Sequence, residues 1–188
     1  MSVLREPIFW LSQAVTVTLL SGAGVLIAYL VVPKPPTYFR TTYFEFAVPP
    51  GWNCEPEGAT TVCDPQGPPP HDAIIVFAGK LRDNNDTRDD YFERLKKPVT
   101  RNDAAGKKYQ SEVLRCEKKA IGEYRWVDAL HLGSEIPQYY TRYLATTTAQ
   151  IGMLFTFSAH RSTVEKRTKQ FQAAVESLRI YQTPSRYD

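Results

Sequence analysis

The chain begins with a long apolar stretch. Residues 8–32 contain no Asp, Glu, Lys, Arg or His. As a helix these 25 residues would measure roughly 37 Å, enough to cross a ~30 Å hydrocarbon core with some tilt. Trp10 and Tyr29 lie near its two ends, where aromatic rings favour the membrane interface. Pro33, Pro35 and Pro36 then stop the helix and start a stiff, extended linker. A cleaved signal peptide is the competing reading. Its apolar region would be shorter, about 7–15 residues, and no small-residue cleavage site follows Val31-Val32-Pro33. An uncleaved membrane anchor is therefore expected.

Past the linker the pattern changes to short apolar runs separated by turn residues. Residues 43–48 predict a strand, and Pro49-Pro50-Gly51 a corner. Residues 52–54 and 60–63 predict a hairpin with Gly58 in its turn. Residues 64–72 read as a loop, and 73–78 as a buried strand. A short helix is expected to start at Thr87 and to carry Tyr91, Phe92 and Leu95 inward, with acidic residues in its first turn. Residues 106–110 read as a loop. Two long hairpins follow, 111–121 with 124–132 about Gly122-Glu123, and 139–147 with 151–159 about Ala149-Gln150. The last element is a helix opened by a capping box at Ser162-Thr163-Val164-Glu165. Val164, Phe171, Ala174, Val175 and Leu178 form its apolar stripe. The expected class is α+β: a mostly antiparallel sheet packed by a C-terminal helix, plus one N-terminal transmembrane helix. The organisation read from this is a tail at 1–7, the span at 8–32, a Pro-rich linker at 33–38, the extramembrane domain at 39–182 and a tail at 183–188.

Residues 43–52, Tyr-Phe-Glu-Phe-Ala-Val-Pro-Pro-Gly-Trp, resemble the opening of the PsbP-like fold, where an aromatic strand leads into a Pro-x-Gly-Trp corner. The close of the chain is similar too: Tyr139-Tyr140-Thr141-Arg142-Tyr143-Leu144-Ala145, a second strand, then a helix ending Val175-Glu176-Ser177-Leu178-Arg179. That family includes extrinsic subunits of photosystem II and bacterial domains. The resemblance, over about residues 40–182, implies a fold and a habit of docking on membrane complexes. It carries over no catalytic residue, and the anchor departs from the extrinsic photosystem subunits.

The span holds polar and small residues that lipid does not require. Gln13, Thr16, Leu20, Gly24 and Ala28 recur on one helical face, and Gly24-xxx-Ala28 permits close helix approach. Such residues also occur in ordinary spans, but Gln13 favours a hydrogen-bonding neighbour. This face is expected to pack against another protein's helix.

Composition narrows the remaining choices. Charged residues make up 23% and the net charge is +3, too mild to argue for nucleic acid. Cys54 and Cys63 bracket the short predicted hairpin, so a cross-strand disulfide fits them, as do two neighbouring free thiols. A bridge would imply an oxidising compartment. With the bulk of the chain after the span, the expected placement is the inner (cytoplasmic) membrane, with the N-terminus cytoplasmic and the domain periplasmic. Cys116 reads as a buried residue on a strand. His71, His131 and His160 have no partner at metal-ligand spacing. The run 83–90 fails as a calcium loop, because Arg88 falls where Gly is needed and Arg94 where the bidentate Glu belongs. There is no G-x-S-x-G and no phosphate-binding glycine loop outside the span.

Three function classes follow: an accessory subunit of a larger membrane complex, a tethered ligand-binding or sensory module, and an enzyme without a recognised motif. The first accounts together for Gln13, the linker and the missing catalytic pattern. It expects no cofactor, no nucleic acid, and partners in the bilayer and in other membrane subunits, with photosynthetic or respiratory complexes as hosts by family analogy.

Overall fold

A computed structural model describes residues 35–102, 106 and 108–181. The predicted span, with Trp10, Gln13, Thr16, Leu20, Gly24, Ala28 and Tyr29, lies outside the described residues. Among the described residues no helix is long and apolar enough to cross a membrane.

The described chain is α+β. Its main element is a seven-stranded sheet built from β3 (Trp52–Glu57), β4 (Thr60–Pro65), β5 (Ala73–Leu81), β8 (Glu112–Ile121), β9 (Tyr124–Leu132), β10 (Tyr139–Thr147) and β11 (Ile151–His160). The strand order is β3-β4-β5-β11-β10-β9-β8, and each neighbouring pair is antiparallel. Most pairs are hairpins between consecutive strands, closed where a left-handed backbone is needed by Gly58 (φ 59°) and Gly122 (φ 59°). The exception is β5 beside β11, which sets Phe77 opposite Phe155. A smaller sheet has the order β1-β2-β12, from Tyr38–Arg40, Phe44–Ala47 and Arg179–Ile180.

Period-two alternation sorts side chains between the two faces of the main sheet. Ile75, Phe77, Trp126, Leu144, Phe155 and Phe157 enter the larger core. Helix α2 (Val164–Glu176) and β2 cover that face: Phe171 stacks on Phe157 at 4.9 Å and Phe46 on Phe77 at 4.0 Å. Val127, Ala145 and Leu154 point the other way and pack with Tyr91, Phe92 and Leu95 of helix α1 (Arg88–Leu95). Strands β9 and β10 are thus covered on both faces, which explains their nearly continuous apolar runs.

Most predicted elements form where the alternation puts them, and the differences have local causes. Thr87 caps α1, accepting from the Asp90 amide at 3.1 Å. The expected capping box at 162–165 does not form. Thr163 is the N-cap but its side chain caps nothing, because its hydroxyl donates to the His160 carbonyl (3.3 Å) while Ser162 is taken by His160 Nδ1 (2.8 Å). The expected loop at 106–110 instead contains strand β7 (Lys108–Gln110), paired with β6 (Thr100–Asn102). Asp64 and Pro65 extend β4 rather than open the loop, and β5 runs three residues past Ala78. Cys116 does lie on a strand but is only half-buried, under Phe92.

A cation-lined groove as candidate functional site

The largest cavity among the described residues, about 700 Å³, opens where four parts of the domain meet: the end of β5, the start of α1, the β8–β9 hairpin and the β10–β11 turn. Alternation decides which side chains face it. Val127 belongs to the α1 side of the sheet, so its partner Lys118 does too, together with the pair Ala120 and Arg125. Lys119, paired with Trp126, faces the opposite way. The groove is therefore lined by the cations of Arg82, Arg88, Lys118 and Arg125, and by Lys119, whose ammonium turns to Asp128, against one acid, Asp89.

Each cation is held differently. Arg82 is fixed by backbone carbonyls, donating from Nε to Asp86 (3.0 Å) and from Nη1 to Thr148 (3.3 Å), so it is oriented without being neutralised. Lys118 pairs with Asp89, whose carboxyl it holds below its ordinary range. Lys118 also lies 5.0 Å from the centre of the Phe92 ring. Arg88 and Arg125 are exposed and have no acidic side chain within ion-pair distance among the described residues. Forked guanidiniums in this setting suit carboxylate or phosphate groups.

Two buried polar nodes brace the groove. Asp86 is 3% exposed. It accepts from Tyr91 Oη (3.0 Å) and the Asp83 amide (3.0 Å), and pairs with Lys80 (2.8 Å). Burial pushes its carboxyl up, but these partners outweigh it and the net shift is downward. Tyr91 is pushed up to about 12 by burial and by Asp86. On the other face Asp128, 0% exposed, accepts from Arg142 Nε and Nη2, each at 2.9 Å. Lys119 and Arg115 (3.3 Å) complete its shell. Burial opposes ionisation of Asp128, but the bonds from Arg142 and Lys119 prevail and lower its pKa.

The remaining sequence candidates are separated in space. Cys54 and Cys63 are opposite residues of the β3–β4 hairpin, with Cα atoms 4.1 Å apart, and they form the disulfide. His71 lies 3.3 Å from Asp64 in the proline loop. His131 is fully buried; its Nε2 donates to the Leu95 carbonyl (2.8 Å), and its Nδ1 hydrogen-bonds with the Ser111 hydroxyl (3.2 Å). That makes it a strut between α1 and the sheet. Among the described residues no three His, Cys, Asp or Glu side chains are grouped to hold a metal ion. Sequence reading missed the groove because its cations come from distant segments. The available signal was alternation, which separates Lys118 from Lys119.

No known family profile matches the chain, and no curated protein matches it in sequence. Solved structures match it in fold. The solution structure of cyanobacterial PsbP (CyanoP) from Synechocystis sp. PCC 6803 is 18% identical, with a TM-score of 0.55 over 80% of this chain and 95% of that one. A crystal structure from Bacteroides thetaiotaomicron VPI-5482 is 13% identical, with a TM-score of 0.57 over 82% of this chain and 52% of that one. The present chain thus spans about half the length of the Bacteroides protein. At these identities the likeness is one of architecture, and the domain has a PsbP-like fold.

Proposed function

We propose that the chain is a single-span, non-catalytic accessory subunit of a larger membrane protein complex, with its domain on the periplasmic side. The observation that carries this reading is the character of the cation-lined groove. It gathers fixed and free cations around one acid, with no nucleophile and base brought together in it. That is the equipment of a binding surface. The uncharged segment 8–32, with Gln13, Thr16, Leu20, Gly24 and Ala28 on one face, supplies an anchor that also packs against a partner helix. Trp10 and Tyr29, near the two ends of that segment, are of residue types that favour a membrane interface. The Cys54–Cys63 bridge supports an oxidising compartment. The PsbP-like fold makes a photosynthetic or respiratory host a natural first place to look.

Purification of the full chain in mild detergent, through a tag after Asp188, tests this. Partner chains are expected to co-purify in fixed ratio, and Gln13→Leu with Gly24→Leu to weaken their retention. A strictly monomeric product overturns the reading. Unchanged retention in the double variant reduces the helix to a tether.

A further inference from the structure

The groove has a position as well as a charge. The chain joins the domain at Thr37, whose carbonyl accepts from the Val48 amide at 2.8 Å, just before the corner that leads to Trp52. Trp52 pairs with Pro65, and extending the β4–β5 register sets Pro65 level with Ala73. Arg82 follows the far end of β5, about 30 Å away along the strand at ~3.3 Å per residue. The groove therefore lies at the end of the sheet remote from Trp52.

We infer that the groove is the docking site for an acidic segment of a protein partner, with Arg88 and Arg125 as its main recognition groups. The assignment deepens the accessory-subunit reading and rests on charge complementarity. Among the described residues Arg88 and Arg125 have no acidic side chain within ion-pair distance, and their forks can each donate side-on to a carboxylate. Arg82 adds a third positive charge already held by the Asp86 and Thr148 carbonyls, so little side-chain ordering is needed on binding. Lys118 can exchange Asp89 for an incoming carboxylate, because that pair is exposed and weakly held.

The test uses the full chain in zwitterionic detergent and a fluorescein-labelled hexaglutamate peptide as probe, read by anisotropy. The peptide is expected to bind and to weaken as salt rises from about 50 to about 200 mM. Arg88→Glu with Arg125→Glu should cost about tenfold or more in affinity. Lys166→Glu with Lys169→Glu, the same charge change on the exposed side of α2, should cost less than about threefold. Equal losses in the two double variants would mean diffuse attraction and overturn the site. Absence of peptide binding also overturns it, as does displacement of the peptide by equimolar pyrophosphate, which would make the groove a small-anion site. A last arm places the chain in nanodiscs. If anionic lipid in the disc lowers peptide affinity tenfold, the groove seats on the bilayer and the proposal fails. A chain that does not enter nanodiscs refutes the anchor reading alone, since the detergent arm still reports on the groove.

Discussion

Replacing Asp128 with Asn removes one charge and almost no volume. The carboxylate it removes is fully buried and is the counter-charge for Arg142, itself 7% exposed. Two charge-assisted hydrogen bonds of 2.9 Å are weakened together. Leaving a buried charge without its partner costs about 3–5 kcal/mol. Arg142 keeps its 3.0 Å bond to Gln172 and its place 5.6 Å from the Phe171 ring centre, which favours the lower end of that range. Lys119 and Arg115, 33% and 44% exposed, can turn to water at little cost. The expected loss is therefore about 3 kcal/mol. For a domain of about 150 residues that is about 6–12 °C in Tm. Urea unfolding followed by circular dichroism at neutral pH measures it. Asp128→Leu combined with Arg142→Met should cost less than Asp128→Asn alone, because no uncompensated charge remains in the core. A loss below about 1 kcal/mol for the single variant, or a double variant as unstable as the sum of its parts, would refute the reasoning.

Other expectations follow from the same structure. Cys54→Ser or Cys63→Ser should cost about 2–3 kcal/mol by freeing a short loop in the unfolded chain, and reductant should produce the same Tm drop in the parent protein and none in the variant. Gly79→Ala should destabilise by about 1–2 kcal/mol, since a Cβ there would come within 2.8 Å of Met153 Sδ and 3.2 Å of the Phe44 ring; a neutral effect in urea would mean that both side chains yield freely. Asp72, Asp86 and Asp128 all have carboxyls held below their ordinary range despite burial, through Arg167, Lys80 and Arg142 respectively. Their contribution is complete above the unfolded carboxylate value of about 4 and is lost as pH falls below it. The urea midpoint should be level from about pH 7 to pH 5 and fall below about pH 4, and a midpoint that rose on acidification would contradict the assignment.

The sheet was legible in the sequence wherever one face is buried. The turn at Gly122-Glu123 and the alternation along 139–159 place both long hairpins, because each residue's face has a consequence for burial. Where burial is absent the signal is absent too. Thr100, Arg101 and Asn102 of β6 are all exposed, so no apolar period marks them, and β12 has only two residues to reveal it. The groove was illegible for another reason. Arg82, Arg88, Lys118 and Arg125 form no charge run, and only the closure of four segments brings them together. The disulfide stood between these cases: spacing proposed it, and the opposite registration of Cys54 and Cys63 decided it.

The pairing of β5 with β11 has a consequence for the order of assembly. Strands β3 to β5 and strands β8 to β11 are two meanders, each closed by contacts between neighbours in sequence. The seam between them joins Phe77 to Phe155, and the loop it closes is far longer than any hairpin turn. The meanders can form early and separately, while the seam and the aromatic layer beneath it wait for them to meet. Phe155→Leu should then speed unfolding and leave the refolding rate nearly unchanged; an equal slowing of refolding would place the seam in the nucleus instead. On this account the domain folds as two sheets and unfolds along one line, at the centre of what looks in the finished structure like its most continuous element.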